Sequence, residues 1–294
     1  MHKFQPKIDE FSLTSLPIYI YGDNSESKPN VHATACFYSK GEKTYLITNW
    51  HVLSGYSWDR KEALKSEIPK KIGIRFFQTN LDSAQLASYG YDKIPFSDEQ
   101  IIPLYSEDEK ALWLEHSKYG SLADIAALEI EVPKGCKVFP ISTSCNSNHQ
   151  IYMHVAISYD VFILGFPKRD YTENSPIWKK RTIASEYSIE INAPIKNSTK
   201  KIKAFLVDTA THAGISGAPV ILRKHGSYET LFCEQVMGTG TKFLGIYSGR
   251  YFPDGPNQND KDVQLGIVFR ESLIEEIISD GASGLSCIKD NSCN

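Results

Sequence analysis

This sequence of 294 residues lacks the features that mark an exported or membrane-bound chain. Its first nine residues contain no apolar stretch of the roughly 7–15 residues that a secretory signal requires. Its longest apolar runs, such as the four residues 161–164, fall far short of the roughly 18 that a membrane-spanning helix needs. We therefore expect a cytoplasmic protein with no membrane partner.

Metal, cofactor and disulfide signals are also scarce. The six cysteines show no C-x-x-C spacing, and the eight histidines show no H-x-x-x-H or H-E-x-x-H pattern. No phosphate-binding loop or dinucleotide fingerprint occurs. We expect reduced cysteines, no metal and no cofactor.

The charges are nearly balanced. There are 32 lysine and arginine residues against 35 aspartate and glutamate residues, which gives a formal net charge of -3. A field this weak does not favour a nucleic acid. We expect no nucleic-acid partner.

Short apolar runs separated by turn residues dominate the chain, a pattern that predicts a mainly β protein. The predicted strands are 16–21, 31–38, 44–48, 72–78, 125–132, 161–165, 203–208, 219–222, 231–236, 243–247 and 265–269. No long stretch alternates strands with helices, which disfavours a parallel sheet. Helical spacing of apolar residues in 271–278, before Asp280 and Gly281, predicts a short C-terminal helix.

The length suits two packed lobes. The polar segment 142–148 predicts a linker, so we place an N-terminal lobe at 1–148 and a C-terminal lobe at 149–294. The mixed, charged segment 55–120 is interpreted as an insertion in the first lobe.

The strongest chemical signal is Gly214-Ile215-Ser216-Gly217-Ala218-Pro219, which is followed by an apolar strand. A nucleophilic serine must stand on a sharp turn, and glycine permits the backbone angles that such a turn needs. The N–H groups of Gly214 and Ser216 can then converge on a developing oxyanion. Alone, the motif is also compatible with an ordinary β-turn.

Two further residues fit the same chemistry. His51 follows the apolar run Tyr45-Leu46-Ile47-Thr48, where an imidazole just outside a sheet can act as a general base. Asp124 immediately precedes the apolar run 125–130, where a carboxylate can orient that imidazole. Each has a structural alternative: a histidine at a strand end, and an aspartate that caps a helix or a turn.

The order His51, Asp124, Ser216 and these contexts resemble the trypsin-like serine peptidases, especially the bacterial Deg/HtrA branch without its PDZ domain. The resemblance spans roughly 30–270 and includes Val161-Phe162-Ile163-Leu164-Gly165-Phe166-Pro167 and the segment 208–216. It implies two antiparallel six-stranded β-barrels, a serine endopeptidase with these three residues as its triad, and a protein or peptide substrate. His51 and Asp124 are further apart than is usual in the family, which the insertion at 55–120 would explain.

The same resemblance implies where a substrate binds. The strand 243–250 looks like the one that pairs with a substrate backbone, with Tyr247, Ser248 and Gly249 in contact. Residues Ala210, Thr211 and His212 would line the specificity pocket. Ala210 stands where enzymes that cleave after lysine or arginine carry aspartate, so a basic preference is not supported, and His212 could instead favour an acidic residue.

One departure from the family concerns activation. Ile215 stands where secreted zymogens carry the aspartate that pairs with a newly freed amine. We therefore expect an oxyanion hole that is preformed or ordered by an activating partner or ligand. Two alternatives stay open: a catalytically silent two-barrel protein that binds peptides, and an effector protease of a bacterial signalling or defence system.

Overall fold

The computed structural model describes residues 9–22, 31–58, 62–64, 67–78, 96–144, 152–167, 175–193, 199–208, 214–251 and 264–285. It is mainly β, as the sequence predicts. The N-terminal half contains nine strands: β1 (Ser15–Tyr21), β2 (Val31–Lys40), β3 (Lys43–Thr48), β4 (Lys71–Ile74), β5 (Phe77–Gln78), β6 (Gln100–Pro103), β7 (Trp113–Glu115), β8 (Ala126–Ile130) and β9 (Cys136–Lys137). A 3-10 helix (Glu10–Leu13), α1 (Trp50–Ser54) and α2 (Ile141–Ser144) accompany them.

The C-terminal half contains the remaining elements: β10 (Asp160–Gly165), β11 (Ile177–Ile183), β12 (Ile191–Asn192), β13 (Lys201–Ile202), β14 (Ala204–Asp208), β15 (Pro219–Lys224), β16 (Ser227–Glu229), β17 (Gln235–Met237), β18 (Gly240–Arg250), β19 (Leu265–Arg270), α3 (Ser272–Asp280) and β20 (Ala282–Ser283). Six of these strands form a closed antiparallel barrel in the order β10-β11-β14-β19-β18-β15. The predicted C-terminal helix is confirmed as α3.

The prediction of two six-stranded barrels is wrong for the N-terminal lobe, where the main sheet is not closed into a barrel in the described part of the chain. Its main sheet has eight strands in the order β20-β7-β8-β3-β2-β1-β4-β6, and in the described part of the chain its edge strands β6 and β20 do not pair with each other. The physical reason is that the chain leaves the sheet after Ile74: β5 pairs with β9 in a separate two-stranded sheet. The other edge is occupied by β20, which the C-terminal segment supplies.

Both faces of several strands are buried, which explains their uninterrupted apolar sequences. On β10, Val161 and Ile163 belong to the apolar cluster inside the barrel, whereas Leu164 belongs to a second cluster that joins the two lobes. Ile47 and Ile125 of the N-terminal lobe lie in that second cluster. The lobes are therefore joined by a continuous apolar contact.

The segment 55–120 supplies β4, β6 and β7 to the eight-stranded sheet. The proposed lobe boundary at 148 lies outside the described residues. In the described ranges, no helix has the length and apolar character to cross a membrane. None of Cys36, Cys136 and Cys233 forms a disulfide.

Candidate active site

His51 lies on the short helix α1, directly after β3. Asn49 is the N-cap residue, and Gly55 ends the helix with a φ of 76°, a left-handed conformation that suits glycine. The Gly55 N–H donates to the His51 carbonyl at 3.1 Å. The His51 side chain is 18% exposed, so its ring is held by the fold but still reaches solvent.

Asp124 is fully buried and accepts three hydrogen bonds. Its Oδ1 accepts from the His51 backbone N–H at 2.9 Å. Its Oδ2 lies 2.7 Å from His51 Nδ1 and accepts from Ser248 Oγ at 2.5 Å. Burial of a carboxylate is costly unless such donors compensate it, and hydrogen bonds to charged groups contribute roughly 1.5–3 kcal/mol each. The Asn49 side chain also donates to the Asp124 backbone carbonyl at 2.8 Å, which holds this residue in place.

This arrangement determines the tautomer of His51. An ionised carboxylate accepts hydrogen bonds but does not donate, so Nδ1 carries the proton that points at Asp124. In the neutral ring, Nε2 is then the basic nitrogen. The pair can therefore take up a proton at Nε2 and stabilise the resulting charge through Asp124.

Ser216 stands on a turn that requires two glycines. Gly214 has a φ of 98° and Gly217 a φ of 85°, both in the left-handed region. The Gly217 N–H donates to the Tyr247 carbonyl at 2.9 Å. In the described part of the chain, the N–H groups of Gly214 and Ser216 donate to no protein group. These two donors are available to an oxyanion.

The Ser216 hydroxyl donates to the Ser248 backbone carbonyl at 3.1 Å. Among the described residues, it makes no hydrogen bond to the His51 ring. Catalytic hydrogen bonds are often long or misaligned before substrate binds, and rotation about one side-chain bond takes picoseconds to nanoseconds. A hydrogen bond from Ser216 to His51 would therefore require the hydroxyl to turn away from the Ser248 carbonyl.

The structure describes only some of the predicted substrate-binding residues. Ala210, Thr211 and His212 lie outside the described residues. The side chain of Tyr247 is buried inside the barrel, and its backbone N–H and carbonyl pair with Ala218 and Gly217. The Tyr247 side chain thus lies in the core, beneath the strand edge that is predicted to pair with a substrate backbone. Ser248 and Gly249 continue that edge.

Two roles were not apparent from the sequence. Ser248 was expected to contact substrate through its backbone, but its hydroxyl binds Asp124. Thr34 was not singled out, although its Oγ1 donates to the Gly214 carbonyl at 2.8 Å. Both contacts join residues more than a hundred positions apart, and no local pattern signals them. The position of a threonine between apolar residues of β2 is the one sequence feature that could have indicated a buried hydroxyl with a hydrogen-bonding role.

No protein-family model matches the chain, and no curated protein matches its sequence. Among solved structures, it is similar to the protease Rv3671c in its inactive form, with 13% identity, a TM-score of 0.41 and coverage of 91% of this chain and 88% of that one. It is also similar to the thermostable serine protease AL20 from an extremophilic microorganism, with 10% identity, a TM-score of 0.45 and coverage of 91% and 96%. The function proposed below depends on the geometry of this chain's own residues.

Proposed function

We propose that this chain is a serine endopeptidase of the chymotrypsin-like type, with Ser216 as nucleophile, His51 as general base and Asp124 as the residue that orients His51. The observation that carries the proposal is the 2.7 Å contact between His51 Nδ1 and the fully buried Asp124 carboxylate. The turn around Ser216, with two N–H groups that have no partner in the described part of the chain, supports the same function.

The reaction is acyl transfer. Ser216 Oγ attacks the peptide carbonyl carbon while His51 Nε2 takes the hydroxyl proton, and the Gly214 and Ser216 N–H groups stabilise the oxyanion. His51 then gives the proton to the leaving amine. Water attacks the acyl-enzyme with His51 again as base, which releases the acid and restores Ser216. No metal or cofactor takes part in these steps.

A peptide substrate would bind along β18. The pairing between β15 and β18 ends at Ile246, and β18 continues to Arg250 with β19 on its other side. An extended peptide can add as a strand at the edge that begins with Ser248. A substrate N–H that donates to the Ser248 carbonyl would displace the Ser216 hydroxyl and free it to turn toward His51.

Control by a partner or ligand is part of this proposal. Ile215 is 4% exposed and packs in the apolar cluster inside the barrel. An apolar side chain cannot form the ion pair that activates secreted zymogens of the family. A signal from outside the chain would therefore have to act through other contacts of the turn. An effector protease of a bacterial signalling or defence system would share this chemistry and differ in its trigger.

The test is covalent labelling with a fluorophosphonate probe, read by intact mass. We expect one adduct on the folded wild type and none on Ser216→Ala, whose turnover should fall by on the order of a millionfold. The stability of Ser216→Ala should stay within roughly 1 kcal/mol of wild type. Ser227→Ala, at an exposed position on β16, is the matched control and should label normally.

Denatured wild type should not label, because the probe needs an assembled site. Equal labelling of Ser216→Ala would refute the assignment of the nucleophile. If folded wild type labels only after an activating partner or ligand is supplied, the chain is a latent protease. If it binds peptides and does not label even then, the catalytically silent peptide-binding protein is favoured.

A further inference from the structure

Thr34 lies on β2 of the N-terminal lobe, and it contacts the nucleophile turn of the C-terminal lobe at two points. Its backbone N–H donates to the Ser216 carbonyl at 2.9 Å, and its Oγ1 donates to the Gly214 carbonyl at 2.8 Å. Thr34 has no solvent exposure. One buried residue therefore holds the carbonyls on both sides of the nucleophile.

These two contacts limit how the turn can move. The Ser216–Gly217 peptide is held at both ends, since its carbonyl accepts from Thr34 and its N–H donates to Tyr247. The Gly214 carbonyl is held by the Thr34 hydroxyl alone among the described residues. Gly214 is one of the two glycines of the turn, and glycine has no Cβ to restrict its rotation. The hydroxyl thus acts on a conformationally free residue whose carbonyl has no other hydrogen-bond donor among the described residues.

The Thr34 side chain is itself held in one orientation. Its Oγ1 accepts from the Phe166 N–H at 3.0 Å while it donates to Gly214, so the hydroxyl proton has one direction available. The Thr34 carbonyl accepts from Thr48 Oγ1 at 2.8 Å. Residues from β2, β3 and the end of β10 therefore meet at the turn in a single hydrogen-bond network.

From this network we infer that Thr34 is a positioning residue: its hydroxyl fixes the Gly214–Ile215 peptide, which lies between the Gly214 and Ser216 N–H groups, so that these two groups converge on one oxyanion. The inference rests on the proposed function. Thr34 is shielded from solvent, and among the described residues it makes no hydrogen bond to His51, so its loss should slow the chemical step without weakening binding. Misplacement of a reacting group by about 1 Å can cost on the order of a hundredfold in rate.

The test compares Thr34→Val, which keeps the shape and removes the hydroxyl, with Thr34→Ser, which keeps the hydroxyl. We expect the maximal rate of fluorophosphonate labelling to fall by on the order of a hundredfold in Thr34→Val and to stay near wild type in Thr34→Ser. The half-saturating probe concentration and the pH midpoint of labelling should not change. Thr14→Val is the matched control, because Thr14 is equally buried and its hydroxyl donates to the Phe11 carbonyl at 2.9 Å.

Thr14→Val should lower the melting temperature and leave the labelling rate unchanged. Wild-type labelling by Thr34→Val would overturn the inference, and so would equally slow labelling by Thr34→Ser. If Thr34→Val does not fold, Thr34→Ala serves in its place and should show the same loss.

Hydrogen–deuterium exchange separates this inference from the proposed function. In Thr34→Val, the amides of Gly217 and Ala218 should exchange faster than in wild type, Thr34→Ser and Thr14→Val. This holds even if wild type does not react with the probe, a result that would count against the proposed function alone. Unchanged exchange in Thr34→Val would overturn the positioning role.

Discussion

Gly217 follows Ser216 and lies in close contact with the opposite lobe. A Cβ at this position would lie 2.0 Å from the Thr34 carbonyl oxygen and 2.3 Å from Thr48 Oγ1. Real Cβ atoms do not approach backbone oxygen so closely, and the Thr34 carbonyl is itself part of a sheet. The glycine is therefore required by packing as well as by its φ of 85°.

Substitution of Gly217 by alanine should separate these two causes when it is compared with Gly226→Ala. Gly226 has a similar φ of 90° but no atom within 4 Å of its added Cβ. We expect Gly226→Ala to lower the free energy of unfolding by about 1–2 kcal/mol, from conformation alone. Gly217→Ala should cost more than about 4 kcal/mol, because the added steric clash forces the lobes apart. Urea unfolding measures both, and equal losses would show that the clash is relieved.

Single residues were predictable from sequence where a local sequence pattern surrounds them. The glycines around Ser216 and the apolar run before His51 are such patterns. The structure brings His51 and Asp124, both predicted in this way, into direct contact. The hydroxyls of Thr34 and Ser248 act on partners in distant segments. Such contacts depend on how two lobes pack, which no local pattern encodes.

At the scale of elements, the C-terminal strand β20 supports the helix that carries His51. β20 pairs with β7 through Ala282 and Glu115. The buried Glu115 carboxylate accepts from the Leu285 N–H at 3.0 Å and from Trp50 Nε1 at 2.5 Å. Trp50 precedes His51 on α1. A carboxylate buried in the N-terminal lobe thus joins the C-terminal segment to α1.

Two truncations test this connection. A chain that ends at residue 285 keeps every contact just described, whereas a chain that ends at residue 281 loses β20 and the Leu285 N–H. We expect the shorter chain to be less stable than the longer one by at least about 1–3 kcal/mol, the cost of depriving a buried acceptor of one donor, because the pairing of β20 with β7 is lost as well. Thermal unfolding of the two chains measures the difference. Equal stabilities would mean that β20 adds nothing to the lobe.

Elements were predicted best where an apolar run coincides with a single strand. The run 219–222 lies within β15, and 161–165 lies within β10. The predicted strand 231–236 is wrong over 231–234, where the chain reverses between β16 and β17, with Cys233 exposed and at a φ of 59°; its last two residues lie in β17. The tip of this hairpin carries exposed apolar side chains, such as Phe232, and in the sequence they give the same apolar pattern as a buried strand.

In the whole molecule, α3 joins the two lobes through a pair of carboxylates. Glu275 accepts from Tyr38 Oη and lies 2.8 Å from Lys40 Nζ, both on β2. Glu276 lies 2.7 Å from Lys203 Nζ and 3.1 Å from His116 Nε2.

His116 can hold Glu276 without being charged. Its Nδ1 accepts from the Lys118 and Tyr119 N–H groups, so its proton is on Nε2 and points at Glu276. The link between α3 and this part of the N-terminal lobe therefore depends on ionisation of Glu276.

These contacts make lobe association sensitive to acid. Burial alone would raise the pKa of Glu275 and Glu276, but the hydrogen bonds from Lys40 and Tyr38, and from Lys203 and His116, outweigh it and hold both pKa values below the ordinary value of a glutamate. A carboxyl whose pKa is lower in the folded state contributes stability above its ordinary pKa and loses it as the pH falls through the folded value. Both carboxylates should therefore stabilise the protein at neutral pH and not in strong acid.

The double variant Glu275→Gln, Glu276→Gln tests this at the scale of the molecule. At about pH 7 we expect it to be less stable than wild type by roughly 0.5–2 kcal/mol, since each partly exposed ion pair contributes about 0.2–1 kcal/mol. The gap should begin to close as the pH falls below the ordinary pKa of glutamate and should vanish once the pH has fallen through the lowered folded-state values, because folded wild type then loses the same charges. Burial raises the pKa of the nearby Glu271, which has the opposite pH dependence but is present in both chains and cancels in the comparison. Urea unfolding at both pH values measures the gap, and a gap that does not change with pH would show that the two carboxylates do not account for the acid sensitivity.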